Sequence, residues 1–348
     1  MCNGNTTIKL FLLSAFLVSY LTKSSAQSNL KIIKLPAAIN NVNEEFSGLV
    51  QYRNRVYLLP QYGDHKETKL SGAVNIYSLS ADSINRAIEG KDSLHYYRTL
   101  KIKNLAQLPN EIADNYQGFE AISIVNQQVY LSIETADNYY YCYLLKGKLD
   151  TVKNEINIDS HHFIRLRRYP YIENAGFESL AYLPKQKKLI AYYEFNAMPS
   201  GGLGYLIDPA FKKPPTQVKA PFFHFRITDI TATNNGRIFG INYYWNGDYN
   251  SYLNNGIISN QEDRIKLLVP DLKDSLNRSP DYLKNTHTTY ARIVTLKNYH
   301  DKKWRQVASF DGFKNNWEGI TLFKKGALII TDANRSNKQL TTFGYVEF

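Results

Sequence analysis

Between Glu318 and Asp332 the chain reads "EGITLFKKGALIITD": a carboxylate, a strand-like run, a Lys-Lys-Gly turn, a second run and another carboxylate. A hairpin folds that spacing back on itself and brings both acids to one end. The pattern recurs. Ser47, Glu120, Glu178 and Asp229 hold the matching first-strand position, and Asp64, Glu134, Glu194 and Asn242 the matching second-strand ends. Carboxylates gathered this closely must be protonated, paired with bases or neutralised by a cation. Ser47, Glu120, Glu178, Asp229 and Glu318 form an oxygen-only set without cysteine or paired histidine, which suits a hard cation, calcium. The corresponding chemistry is metal-assisted hydrolysis, in which the cation polarises an ester oxygen and activates a water. Glu120 or Glu178 would serve as general base and Arg335 would stabilise developing negative charge. Glu194, Asp332 and Asn334 reach the same rim as substrate contacts. A competing reading makes the acids purely structural, each accepting backbone N–H groups of a neighbouring sheet and locking the two together.

The elements that must position these residues are five repeated hairpins. They read "EFSGLVQYRNRVYLLPQYGD" from Glu45, "GFEAISIVNQQVYLSIETAD" from Gly118, "GFESLAYLPKQKKLIAYYEFN" from Gly176, "ITDITATNNGRIFGINYYWNGD" from Ile227 and "NWEGITLFKKGALIITDAN" from Asn315. Each has two β-rich runs around a turn carrying Asn, Gly or Lys. Such hairpins at wide spacing, with few helical patterns between them, predict an all-β protein, a β-propeller of four-stranded antiparallel blades. The first-strand positions are 73, 58, 51 and 89 residues apart. The last gap has room for a further blade, with Gly256–Val269 and Tyr290–Leu296 as outer strands. Six blades are therefore expected, with five as the alternative count. The C-terminal "TTFGYVEF" is expected to close the ring with N-terminal "LKIIKLP". A β-sandwich with chance likeness among its hairpins explains five matches less well.

Residues 1–26 read as a cleaved signal peptide: Lys9, an apolar run over Leu10 to Leu21, then small residues at Ser24 and Ala26. The run is too short to span a bilayer as a mature helix, and no second apolar span follows. A secreted or periplasmic protein with one propeller domain, 27–348, is expected, as a monomer. Cleavage removes two lysines and no acid, lowering the net charge from +11 to +9, and leaves Cys142 as a lone thiol. Without a disulfide a large core must hold the fold, and 27 tyrosines and 17 phenylalanines supply aromatic area for it. The bases are scattered. Their densest clusters, "RLRR" (Arg165 to Arg168), "KQKK" (Lys185 to Lys188) and "DKKWR" (Asp301 to Arg305), are expected in solvated turns or strand edges. No nucleic-acid-binding module is present, and no nucleic-acid partner is expected.

Several of these motifs resemble the "esterase-like activity of phytase" family. "NWEGITLFKKGALIITDANRSNKQLTTFGYVEF" is similar to its C-terminal signature, "GFESLAY" and "ITDITATNNGRIFGINYYW" to internal segments, and "FSGLVQYRNRVYLL" to its opening motif. The resemblance implies a secreted or periplasmic propeller hydrolysing phosphate or carboxylate esters, with Ser47, Glu120, Glu178, Asp229, Glu318, Asp332 and Asn334 at matching positions. The family's Glu-Arg pair is replaced here by "INYYW" (Ile241 to Trp245), and "GFEAISI" and "GFESLAY" lack its glycine after Glu. A more distant likeness, in "SG", "FEA", "FES" and "WEG", is to the calcium-activated nucleotidases, five-bladed propellers with acids around an axial calcium.

Other hydrolase signatures are absent: no Gly-x-Ser-x-Gly elbow, no His-Glu-x-x-His helix and no Walker loop. His161 and His162 are adjacent, point opposite ways on a strand, and read as surface. Ser47 with His65 lacks a third orienting group. The alternative to an enzyme is a non-catalytic propeller binding a glycan or protein partner. Its stacking surface would come from "NYYYCY" (Asn138 to Tyr143), "YYEF" (Tyr192 to Phe195) and "NYYW" (Asn242 to Trp245). Packing between blades is the preferred role for these aromatics.

Overall fold

The computed structural model describes residues 30–63, 70, 74–136, 139–168, 175–196, 201–223, 225–244, 290–309, 315–333 and 341–348. The leader, Asp64, His65, Asn334, Arg335 and the run 256–269 expected as an outer strand lie outside them. Short runs rich in β-branched and aromatic residues form twenty strands among the described residues, several of them buried along nearly their whole length. Blade 1 contains β2 (Phe46–Tyr52), β3 (Arg55–Pro60), β4 (Val74–Ser80) and β5 (Arg98–Lys103). Blade 2 contains β6 (Tyr116–Val125), β7 (Gln128–Thr135), β8 (Tyr141–Asp150) and β9 (Glu155–Arg167). β10 (Ser179–Leu183), β11 (Lys188–Tyr192), β12 (Gly202–Ile207) and β13 (Thr216–Ala220) build blade 3; β14 (Arg226–Ala232), β15 (Ile238–Tyr244), β16 (Tyr290–Leu296) and β17 (Arg305–Ser309) build blade 4. Blade 5 contains β18 (Asn316–Phe323), β19 (Gly326–Asp332), β20 (Phe343–Glu347) and, as its outermost strand, β1 (Leu30–Ile33) from the start of the chain.

The ring has five blades. Innermost strands β2, β6, β10, β14 and β18 each touch the next, and β18 returns to β2. Because β14 packs directly on β18, no blade fits between them, and Tyr290–Leu296 is the third strand of blade 4 rather than part of an extra sheet. Closure comes from β1, whose Leu30 to Ile33 pair antiparallel with Val346 to Phe343. The outer edges depart from a simple ring: Lys101–Lys103 of β5 pair in parallel with Glu155–Asn157 of β9, joining blades 1 and 2.

Apolar side chains fill the seams between blades, so the core is a series of wedges. Tyr143, Tyr192, Tyr193, Phe195, Tyr243 and Tyr244 are buried there, as preferred for the aromatic runs. The β-hairpin turns opposite the acids use Arg53, Asn126, Gln127, Lys187, Gly236 and Lys324 at positive φ. The basic clusters are not uniformly solvated. Arg168 is buried, donating to the backbone oxygens of Ala136 (2.7 Å), Ala175 (3.2 Å) and Tyr139; these bonds tie the connection after β7 to the chain entering β10. Among the described residues no helix is long and apolar enough to cross a membrane.

Candidate functional site

Register aligns the innermost strands on their apolar residues: Phe46-Ser47-Gly48-Leu49, Phe119-Glu120-Ala121-Ile122, Phe177-Glu178-Ser179-Leu180, Ile227-Thr228-Asp229-Ile230 and Trp317-Glu318-Gly319-Ile320. The ladder is interrupted between Phe46 and Gly48, Phe119 and Ile122, Ile227 and Asp229, and Trp317 and Gly319. Bulges of this kind set a residue outside the ladder and re-aim its side chain. Four of the expected first-strand residues, Ser47, Glu120, Glu178 and Glu318, occupy one level. Thr228, not Asp229, is the fifth member; Asp229 sits one residue further along, level with Gly48, Ala121, Ser179 and Gly319.

A second level comes from the ends of the adjoining strands. Gln61 follows β3, Glu134 lies in β7, Glu194 follows β11 and Asp332 closes β19. Four blades thus contribute a pair: Ser47/Gln61, Glu120/Glu134, Glu178/Glu194 and Glu318/Asp332. In blade 4 the matching second-strand residue is Tyr243, opposite Arg226, and Asn242, expected there, lies one residue earlier, opposite Ile227. Asn316 and Asp332 are cross-strand partners, with the Asn316 amide 3.4 Å from Asp332 Oδ2. The two acids of the last hairpin therefore share one end, as their spacing predicts.

Three acid pairs gather at this end, and the consequences appear in their protonation. Burial, then the Glu134 charge, pushes the Glu120 carboxyl well above the usual range, against a 2.8 Å hydrogen bond from Gln61 Nε2. Burial, then Glu194, Glu318 and Glu120, does the same to Glu178. Glu194 is fully buried. Burial raises its pKa too, but the Arg226 guanidinium opposes this, with Nη1 donating to Oε2 at 2.5 Å while the Gly176 amide donates to Oε1 at 2.6 Å. The Glu178–Glu194 hydrogen bond favours the charged form of Glu194. Glu178 Oε2 is buried with no hydrogen-bond partner among the described residues. Glycines make the room: Gly118 and Gly176 precede Phe119 and Phe177 where blade 4 carries Arg226. A Cβ on Gly176 would lie 3.2 Å from Glu134 Oε1, and one on Gly118 (φ 136°) 2.5 Å from Gln61 Cγ.

Asp229 has a different role. Its Oδ1 accepts the Ile230 amide at 2.7 Å and its Oδ2 the Ile320 amide of blade 5 at 2.9 Å. The amides of Leu49 and Leu180, from blades 1 and 3, also bond it. Burial pushes its pKa well above the usual range, against these four donors. One carboxyl thus gathers four blades. Hydroxyls complete the locks: Ser47 donates to Phe119 O (2.6 Å), Ser179 to Ile227 O (2.9 Å) and Thr228 to Trp317 O (2.8 Å), each oxygen belonging to the next blade.

The donors expected for calcium do not fit as a set, since Ser47 and Asp229 are engaged with backbone. Among the described residues no group of three His, Cys, Asp or Glu side chains is arranged to hold a metal. His161 and His162 lie exposed on the outer strand β9, with His162 Nδ1 2.8 Å from Asp159 Oδ2. Arg226 was missed by sequence reasoning, although its place immediately before the apolar residue of the fourth repeat marks it. Arg292 was missed as well. It donates from Nε to Asn242 Oδ1 at 2.8 Å and from Nη1 to Gln306 Oε1 at 3.1 Å, tying three strands of blade 4 together.

No family model matches the chain, and no curated protein sequence does. Solved structures similar to it include an exo-β-1,3-galactanase from Phanerochaete chrysosporium in complex with β-1,3-galactotriose, at 10% identity and TM-score 0.49, covering 92% of this chain and 64% of that one. Another is a putative exo-β-1,3-galactanase from Bifidobacterium bifidum, at 9% identity and TM-score 0.48, covering 91% and 92%. A third is a glycosyl hydrolase from Bacteroides ovatus, at 10% identity and TM-score 0.47, covering 93% and 92%. No residue role is carried across from them. The resemblance to the phytase-like esterases is corrected: no family model supports it, and the similar structures are of glycoside hydrolases.

Proposed function

We propose that the protein is an exported, monomeric hydrolase that cleaves O-glycosidic bonds at the acidic end of its ring by carboxyl acid–base catalysis. The observation that carries the reading is the buried Glu178 carboxyl, whose Oε2 has no hydrogen-bond partner among the described residues and whose pKa burial and its acidic neighbours push up, beside a Glu194 held by Arg226. A carboxylic acid kept protonated can give its proton to a leaving alkoxide. Glycoside hydrolysis asks for such an acid together with a second carboxylate. Glu318, half-buried and electrostatically coupled to Glu178, is the second carboxylate. Electrostatics disfavour the phosphoester substrate that the family resemblance implied: a phosphate anion would enter among three acid pairs, and Arg226 and Arg292 are both committed to the protein. For carboxylate esters, the Ser47 hydroxyl is not poised as a nucleophile, because it donates to the Phe119 carbonyl oxygen.

The test is a panel of 4-nitrophenyl and methyl glycosides, 4-nitrophenyl phosphate and 4-nitrophenyl acetate, with the mature chain and Glu178→Gln. Turnover of a glycoside is expected, with an alkaline limb that disappears in Glu178→Gln and a fall in kcat of about 10²–10⁴ for poor leaving groups. Turnover of the phosphate alone would refute the reading. A second reading, a non-catalytic glycan- or protein-binding propeller, draws on Asp229 and Glu194 being satisfied by the fold itself. Saturable binding without turnover on any substrate would favour it.

A further inference from the structure

The groove between the outer strands of blades 3 and 4 lies away from the acid pairs. It encloses about 520 Å³ and is lined by Lys219, Phe222, Tyr299, His300, Asp301 and Lys302, among others. Phe222 is 44% exposed although it is a large apolar side chain. Tyr299 and His300 have ring centroids 3.8 Å apart, tilted by 38°. The charges at the groove are not balanced among its own walls. Asp301 is engaged by Arg305 Nη1 at 2.7 Å and by the Lys297 amide at 2.8 Å, while Lys219, His300 and Lys302 are exposed.

Beneath the groove lies a second, independent feature. Trp304 and Tyr192 pack edge-to-face, with centroids 6.1 Å apart, in the same apolar cluster as Ala220 and Tyr299 of the groove wall. Trp304 is 2% and Tyr192 0% exposed, and among the described residues Trp304 Nε1 and the Tyr192 hydroxyl have no hydrogen-bond partner. Trp304 belongs to the basic run "DKKWR", whose Lys302 lines the same groove. The run therefore joins one buried donor to the charged rim.

We propose that this groove is a second binding site, for an acidic saccharide such as a uronic-acid oligomer. The faces of Phe222 and Tyr299 suit the C–H faces of pyranose rings. Lys219 and Lys302 suit the carboxylate. The site is independent of the acid pairs, so its test does not rely on turnover.

Binding of a galacturonic-acid trimer to the mature protein is measured by calorimetry and by tryptophan fluorescence, with a neutral galactose trimer and an acidic peptide as comparators. Saturable binding of the uronate, at least tenfold tighter than the neutral trimer and accompanied by a fluorescence change, is expected. Lys219→Ala with Lys302→Ala should weaken it at least tenfold, and Phe222→Ala likewise; all three positions are solvent-exposed, so folding is preserved. Glu178→Gln should bind as wild type does, which separates this site from the acidic end. Equal binding of the neutral trimer, unchanged affinity in the lysine variant, or equal competition by the peptide would each overturn the proposal.

Discussion

Replacing Asp229 by alanine tests whether one carboxyl holds four blades together. The side chain accepts amides of Ile230 and Ile320 at 2.7 and 2.9 Å, and those of Leu49 and Leu180 also bond it. A buried donor left without an acceptor costs about 1–3 kcal/mol. Four donors set the gross loss at about 4–12 kcal/mol, comparable with the whole stability of a domain, about 5–15 kcal/mol. Two effects reduce it: the alanine variant no longer desolvates a carboxyl, and water can enter the space vacated. A net loss of about 3–5 kcal/mol is expected, as when one member of a buried pair is removed, lowering Tm by roughly 10 °C. Urea unfolding followed by circular dichroism measures it. Asp229→Asn should lose nearly as much, because one oxygen becomes an NH₂ facing N–H groups. Stability within about 0.5 kcal/mol of wild type in both variants would refute the hub, since a surface acid can be replaced at that cost and a four-amide acceptor cannot.

The remaining expectations concern protons, the thiol and ring closure. Glu120 and Glu178 have folded-state pKa values above the usual range, so the native state binds more protons than the unfolded chain between the two values. Stability is therefore fully present below the ordinary carboxylate range and falls as pH rises above it; Glu120→Gln and Glu178→Gln should each flatten that fall in urea melts at stepped pH. Cys142 is fully buried and its thiol is pushed up to about 12, first by burial. Labelling by a thiol-reactive dye should therefore follow global unfolding, and rapid labelling of native protein would contradict the packing. Ile33, 4% exposed on the closing strand β1, should cost about 2–5 kcal/mol when changed to alanine, measured by the same urea melts.

Much of the architecture was legible because it is written in short local patterns. Phe46, Phe119, Phe177, Ile227 and Trp317 each precede a second apolar residue by three positions, and each such run is followed by a turn and a second β-rich strand. That pattern requires only neighbours in the chain. The sixth blade was an overreach from the 89-residue gap, since chain length does not say whether residues join the ring; contact of β14 with β18 excludes it. Aligning the fourth repeat on its acid instead of on Ile227 placed Asp229 one residue out of step. In a strand that single step changes the direction of the side chain, here from the acid level to the backbone hub.

By itself the sequence determined the β-hairpins, the radial repetition and the convergence of carboxyls at one end, because hydrophobic period and turn chemistry act over a few residues. Only the tertiary structure decided which acids lie beside other acids and which are consumed by the fold. Glu194 meets Arg226 across 32 residues of sequence, and Asp229 meets Ile320 across 91. Such partners are chosen by ring closure and by the bulges that re-aim each side chain. Their protonation then follows from burial, which no local pattern encodes.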